Sequence, residues 1–183
     1  FESAVSIDNL TLTRSVCAEN SPYFLTGAKL TYTPSAKIEF TGLITNGWQR
    51  IQKLSGNSLP SFGTQIIYHP SKKMTLNWST FIGAETPDSL RKMRYFSNLY
   101  GQFNISKRVN LIAGFDFGIQ QQIKHSSSFN LWYSPVLIGQ LTLNGSWKTA
   151  LRFEYYNDQN NAIIPIQKGN GFNVSGASLN FDY

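Results

Sequence analysis

The chain has 183 residues, the length of one domain, and neither a linker nor a shift in composition divides it. Charged residues make up only 14% of the sequence, well below the roughly 25% of a soluble globular domain. No stretch approaches the roughly 18–20 apolar residues of a membrane-spanning helix, which excludes a helical membrane protein. The formal net charge of +6 is spread over turns and loops, so we expect no nucleic-acid partner. Cys17 is the one cysteine, which excludes an intrachain disulfide.

Alternation of apolar and polar residues with period two predicts nine strands. Each is close to the roughly 9–11 residues that a tilted transmembrane strand needs. Residues 1–22 lack this alternation; we expect them to be an extracellular loop segment with a short helix from about Leu12 to Asn20, and residues 23–183 to hold the membrane strands of one domain. In chain order the predicted strands cover residues 23–33, 36–46, 60–69, 73–83, 94–106, 108–118, 128–143, 146–156 and 171–183.

The connections between these strands alternate in length. Short polar turns lie at residues 33–35, 69–73, 106–108 and 144–145, and long polar loops run over about 46–60, 84–94, 119–128 and 157–170. A barrel in an outer membrane has short periplasmic turns and long extracellular loops, whereas a soluble sandwich has no reason to sort its connections in this way. The pattern therefore favours an all-β, antiparallel, up-and-down transmembrane barrel.

The two faces of the predicted strands differ in charge. In four strands one face has no charged residue, while the other carries five charges among seventeen positions. A soluble sandwich would show the same alternation, with the uncharged face as its core. Strand length and aromatic residues near strand ends favour the barrel, because amphipathic rings suit the headgroup belts of a bilayer. The predicted belt residues are Trp48, Tyr68, Tyr95, Tyr133, Trp147 and Tyr155.

The strand count bears on how complete the barrel is. Bacterial single-chain barrels have an even number of strands and both termini in the periplasm. Nine strands do not satisfy that rule, so we expect an odd number of strands before Phe1 and a chain that is the C-terminal part of a larger barrel.

Pro135 lies inside the seventh predicted strand, which predicts either a bulge or a membrane part that begins after it.

Four stretches carry a resemblance to a known family. They are residues 9–15 (NLTLTRS), 18–24 (AENSPYF), 27–30 (GAKL) and the strand ending 45–49 (TNGWQ). They resemble the central loop and strands of the OmpL-like porin family of β-barrels in Bacteroidetes, and the resemblance extends over essentially the whole chain as a C-terminal portion. It implies an outer-membrane location and a porin-like role.

Residues 1–22 are the first candidate for function. In porins a long loop that folds inward narrows the channel, so Arg14 with Asp8 or Glu19 is a candidate electrostatic constriction. The alternative is a loop that packs over the rim or against a partner, with its charges solvated.

Charged side chains on the polar faces are the second candidate. Three cations and three anions are predicted to line the pore, where mixed charges tune ion passage. Because they sum to zero, strong anion selectivity does not follow, and those on the eighth strand could instead pair to fill a narrow lumen. The six residues are Lys29, Glu39, Asp116, Lys148, Arg152 and Glu154.

The leading interpretation is a bacterial outer-membrane channel for passive diffusion of small polar solutes. The alternatives are a structural or accessory barrel subunit of a larger outer-membrane complex and, third, a ligand-binding β-sandwich. Expected partners are membrane lipid, lipopolysaccharide near Arg91, Lys92 and Arg94, and other outer-membrane proteins. We expect no enzyme, metal or cofactor, because His69 and His125 lack partners at ligand spacing and no nucleophile elbow is present.

Overall fold

Nine antiparallel strands form one sheet in the order of the chain. The structure is a computed structural model that describes residues 2–3, 5–167 and 171–183. Among these residues each strand pairs with its neighbours in sequence, and no helix is long and apolar enough to cross a membrane. The strands are β1 (Gly27–Ser35), β2 (Ile38–Thr45), β3 (Ser61–Ser71), β4 (Met74–Ala84), β5 (Met93–Asn104), β6 (Val109–Gln121), β7 (Phe129–Thr142), β8 (Lys148–Asp158) and β9 (Phe172–Asp182).

The nine predicted strands are confirmed, with ends that move by up to four residues. The helix is shorter than predicted: α1 covers Val16–Asn20 instead of Leu12 to Asn20. It begins at Ser15, whose hydroxyl accepts a hydrogen bond from the Ala18 amide and so caps the first turn. Two single 3₁₀ turns lie at Ser6–Asp8 and Asp88–Leu90.

The up-and-down order places all short connections at one end of the sheet and all long ones at the other. Residues 36–37, 72–73, 105–108 and 143–147 form the short-loop end, and residues 46–60, 85–92, 122–128 and 159–167 belong to the long-loop end. The sheet is not closed, since β1 pairs only with β2 and β9 only with β8 among the described residues. An open sheet of nine strands is consistent with part of a barrel.

The outer face of the sheet is apolar and exposed. Trp78, Phe115 and Phe153 are 48%, 41% and 52% exposed. In the same strands they alternate with more deeply buried residues of the inner face. A soluble sandwich would bury this face under a second sheet, but the described strands all belong to one sheet. A continuous apolar surface of this kind requires contact with lipid or protein.

Pro135 is accommodated inside β7 without a bulge. On the β6 side the ladder runs through it, with Pro135 opposite Phe115. On the β8 side the pairs Tyr133↔Asn157 and Val136↔Glu154 flank a gap with no shift in register. Proline donates no ladder hydrogen bond, and the hydroxyl of Ser134 instead donates one to the Tyr155 carbonyl at 2.8 Å.

Candidate functional site: the covered inner face

The N-terminal segment, defined as the described part of residues 2–23, folds back onto the inner face of the sheet. Its helix α1 contacts β7 and β8. Cys17 is fully buried beside Ile112, Val136 and Ile138, and its Sγ donates to the Ser134 carbonyl at 3.6 Å. A helix of five residues is unstable alone, so this packing against the sheet maintains it.

Arg152 of β8 is the main anchor of the segment. Its guanidinium is buried and donates hydrogen bonds to the Thr13 carbonyl, to Thr13 Oγ1 at 3.2 Å and to Thr11 Oγ1 at 3.3 Å. Two carboxylates form ion pairs with it: Glu154 Oε1 lies 3.1 Å from Arg152 Nε, and Glu2 Oε1 lies 3.8 Å from Nη1. A buried guanidinium needs such a set of partners to offset the loss of its hydration.

The same two carboxylates hold the start of α1. Glu154 Oε2 accepts a hydrogen bond from the Val16 amide at 2.6 Å. Glu2 accepts from the Ser15 amide at 3.0 Å and from the Ser15 hydroxyl. The first amides of a helix lack partners within the helix and carry a partial positive charge, so carboxylates are stabilising there. Gly176 of β9 leaves the room for Glu154, because a Cβ at that position would lie 2.9 Å from Glu154 Cγ.

The six residues predicted to line a pore all lie on the inner face, but in two environments. Asp116, Arg152 and Glu154 lie beneath the N-terminal segment, and Asp116 is 2% exposed with a hydrogen bond of 2.5 Å from Asn98 Nδ2. Lys29 and Lys148 are exposed and Glu39 is half-buried. Their role as pore-lining groups stays a prediction.

The structure brings two of the three predicted constriction residues together. Arg14 Nη1 lies 3.5 Å from Glu19 Oε1, and Arg14 Nη2 donates to the Ala18 carbonyl at 2.8 Å. The guanidinium of Arg14 also covers the ring of Tyr23, 4.4 Å from its centroid. Asp8 is exposed, and its carboxylate accepts a bond of 3.4 Å from the Ser3 hydroxyl instead of pairing with Arg14.

A row of polar side chains crosses the inner face, one residue from each of β1 to β7. It consists of Thr31, Thr41, Gln65, Ser79, Asn98, Asp116 and Ser134, each opposite the next across the ladder. We call it the polar row. Six of its members are neutral, and its hydrogen bonds include 3.0 Å between the hydroxyls of Thr31 and Thr41. Period-two alternation predicts the face on which each residue lies, whereas the row depends on the register between strands.

An aromatic cluster closes the inner face at the long-loop end. We call the buried rings of Trp48, Phe81, Phe96, Trp132 and Tyr156 the aromatic cap. The Trp48 ring meets those of Phe81, Phe96 and Trp132 edge to face, with centroids 5.2, 4.9 and 6.2 Å apart. The prediction that Trp48 joins a headgroup belt is therefore wrong, because Trp48 is 8% exposed and points inward.

Arg94 lies against the cap and joins it to the loops. Its guanidinium carbon is 5.0 Å from the centroid of the Trp48 ring, a cation–π contact. The guanidinium donates to Gln120 Oε1 at 2.9 and 2.7 Å and to the Ala162 carbonyl at 3.0 Å. Arg94 is 7% exposed, so the prediction that it reaches lipopolysaccharide is wrong.

Two carboxylates hold the loops over the cap. Asp158 accepts hydrogen bonds from the amides of Ala162, Ile163 and Ile164 at 2.8 to 2.9 Å. Glu85 accepts from the Trp48 amide and from Arg50 Nε, each at 2.7 Å. The long loops are therefore tied down on the inner side of the sheet.

Two cavities remain beside the N-terminal segment. The wall cavity, about 270 Å³, lies between the segment and β3 to β5 and is lined by Arg14 and by Gln65, Ser79 and Asn98 of the polar row. The rim cavity, about 410 Å³, lies between residues 7–12 and β7 to β9, next to Lys148 and Asp182. The segment thus narrows the inner space while leaving room on both of its sides.

One up-and-down sheet, apolar outside and polar with buried charges inside, defines the wall of a porin-like β-barrel. The family model described as "Putative beta-barrel porin-2, OmpL-like" matches residues 1–183. The chain belongs to this family, and its membership indicates an outer-membrane location and contact with membrane lipid. No curated protein and no solved structure matches the chain.

Proposed function

We propose that this chain forms part of the wall of a channel for passive diffusion of small polar solutes across a bacterial outer membrane. The observation that carries the proposal is the polar row, whose uncovered part faces the wall cavity. Polar side chains on an inner face next to a cavity favour water and dissolved solutes over lipid. Membership in a porin-like family supports the same role.

The path that we propose runs along β1 to β5 and past the N-terminal segment. Arg14 and Glu19 would border its narrow part, since Arg14 lines the wall cavity and pairs with Glu19. Lys29 and Glu39 would face the wide part near the open edge. Asp116, Arg152 and Glu154 would act indirectly, because they hold the segment in place.

A second candidate function is an accessory barrel subunit of a larger outer-membrane complex. The aromatic cap favours it, because Trp48, Arg94 and the loops that they bind fill the inner face at the long-loop end. Partners would then be other outer-membrane proteins on the long loops or on the outer face. Lipopolysaccharide remains a proposed contact for Arg91 and Lys92, which are partly exposed.

Conductance in planar bilayers separates the two functions. Stable ohmic steps from the full protein, purified in detergent, would support the channel. Silence together with defined co-purifying membrane proteins would support the accessory subunit and overturn the channel. Heat-modifiable migration on gels checks that the protein in each experiment is a folded barrel.

The proposal includes transport and no catalytic step. An origin in Bacteroidetes is also part of the proposal, because only the resemblance of residues 9–15, 18–24, 27–30 and 45–49 supports it.

A further inference from the structure

The wall cavity has a neutral wall on the sheet side. Gln65, Ser79 and Asn98 come from three adjacent strands and are direct neighbours in the ladder. Carboxamides and hydroxyls each donate and accept hydrogen bonds. The carboxamide nitrogen of Gln65 donates to Asn77 Oδ1 at 2.8 Å, while its oxygen accepts no hydrogen bond from the described residues.

Each charged side chain that borders the cavity has a partner of opposite charge. Arg14 is paired with Glu19 and lies over the Tyr23 ring. The carboxylate of Glu2, with its side chain 2% exposed, lies beside Arg152 and accepts hydrogen bonds from Ser15. An ion that entered the cavity would lose hydration without gaining an unpaired charge of opposite sign, which is unfavourable.

Flat apolar surface completes the lining. The rings of Phe96 and Tyr100 border the cavity beside the polar row. A solute with many hydroxyl groups and C–H faces would use both kinds of surface, because the amides bind its hydroxyls and the rings cover its apolar faces. A wholly apolar solute would leave the amides of the wall without partners, at a cost of free energy.

We infer that the wall cavity binds neutral, polyhydroxylated solutes such as monosaccharides and sugar alcohols. This inference rests on the proposed channel for its physiological meaning, since it names the class of solute that the channel prefers. The binding itself depends only on the cavity.

The test measures efflux of radiolabelled solutes of similar size from proteoliposomes that contain the full protein. Neutral glucose and sorbitol are compared with anionic gluconate and with protonated glucosamine at pH 6. The variants are Gln65→Met and Ser79→Ala, which remove hydrogen-bonding groups from the cavity while adding no charge. Thr31→Val is the matched control, because Thr31 belongs to the polar row but does not line the cavity.

We expect the neutral solutes to leave faster than both charged ones. Gln65→Met should lower glucose efflux and the binding of glucose by roughly three- to tenfold, the factor for one lost hydrogen bond. Ser79→Ala should give a smaller loss, and Thr31→Val none. In a protein that shows ohmic conductance steps, equal efflux of neutral and charged solutes, or unchanged glucose efflux in both cavity variants, would overturn the inference.

A binding measurement separates this inference from the proposed channel. Saturation-transfer NMR detects magnetisation passed from the detergent-solubilised protein to glucose without any need for transport. Transfer that decreases in Gln65→Met, in a protein without conductance, would support the cavity and overturn the channel. Absence of transfer to glucose in the wild-type protein would overturn the inference whatever the conductance.

Discussion

The two halves of the inner face follow the same alternation but have different environments. On β8 the inner residues Ala150, Arg152 and Tyr156 are almost completely buried. On β1 every residue is exposed, including Lys29 and Thr31 of the inner face. The difference comes from the N-terminal segment and the aromatic cap, which cover parts of β4 to β8 and do not extend to β1. Period two therefore assigns a face, while the segments that fold onto the sheet decide which part of that face stays open to solvent.

The charged residues of the inner face also have different roles in the two halves. In the covered half, Arg152 and Glu154 of β8 and Glu2 of the segment bind backbone groups and one another, and they fix about one turn of helix. On the open half, Lys29 is solvated, and Glu39 is not part of any described ion pair. The inner charges thus form ion pairs in the covered half and part of a polar lining in the open half.

Removing the anchor of the covered half should have the largest effect. Arg152→Met would leave Glu2 and Glu154 buried without their cation, a change that costs about 3–5 kcal/mol for comparable buried pairs. We expect the N-terminal segment to detach, which would expose Cys17. Maleimide labelling of Cys17, the one thiol of the chain, should then increase strongly under native conditions.

The control for this anchor is Lys148→Met. Lys148 lies on the inner face of the same strand but is exposed, so its loss should leave Cys17 protected. Strong labelling of Cys17 in the wild-type protein would contradict the covered half itself.

Overpacking the aromatic cap should have the next largest effect. A Cβ on Gly118 would lie 2.0 Å from Trp132 Cζ2, and the rings around Trp132 leave it little freedom to move. Gly118→Ala should lower the free energy of unfolding by about 1–3 kcal/mol, the usual range for overpacking. The loss would lower the temperature at which heating changes the migration of the protein on a gel. It would also shift tryptophan fluorescence to longer wavelength.

Gly42→Ala provides the comparison on the outer face, in β2 near the open half. A Cβ there meets nothing within 4 Å, so the substitution should change neither readout. An equal loss of stability in both variants would mean that glycine at these positions serves the backbone and not the packing of Trp132.

The strands and their faces can be predicted from the sequence because both depend on local alternation. Contacts between residues far apart in the chain cannot be predicted in this way. Arg152 reaches Thr13 across 139 positions of the chain, so local pattern offers no sign that this predicted pore residue is an anchor. Trp48 has the composition of a belt residue, but the preceding Gly47 has φ of +137°, a conformation nearly restricted to glycine. The chain can turn there, and Trp48 lies in the cap.

The constriction shows the same division. Inward folding of the N-terminal segment is one of two alternatives that its length and lack of alternation leave open, and Arg14 does pair with Glu19. The partner of Asp8 could not be anticipated, because a 3₁₀ turn at Ser6–Asp8 brings it back to Ser3. The polar row also requires the register of six strand pairs, which alternation alone does not provide.

The buried thiol predicts a pH dependence of the covered half. Burial, and then the nearby carboxylate of Asp116, raise the pKa of Cys17 well above its usual value. The unfolded chain therefore loses its thiol proton at a lower pH than the folded chain. Stability should be unaffected below the pKa of a free thiol, about 8.5, and should fall as pH rises above it, by at most about 1.4 kcal/mol per pH unit.

Cys17→Ala isolates this contribution. Between pH 8 and pH 10 the free energy of unfolding of the wild-type protein should fall relative to that of Cys17→Ala. Tyrosine titration is common to both proteins and cancels in the difference. A constant difference across this range would mean that the folded protein already exposes the thiol.

The smallest expected effect concerns the long loops over residues 46–60 and 85–92. Hydrogen bonds from Arg91 and from Ser58 lower the pKa of Asp88 to about 2, and the Ser58 amide donates to both carboxylate oxygens at 3.1 Å. A lowered pKa means that this link is complete above about pH 4, the usual value for Asp, and is lost as pH falls toward 2. Because Asp88 is partly exposed and lies far along the chain from α1, Asp88→Asn should speed hydrogen exchange of the Ser58 amide near pH 5 while leaving Cys17 protected. The control variant Asp8→Asn should change neither readout. If Asp88→Asn also exposed Cys17, the long loops and the covered half would unfold as one cooperative unit.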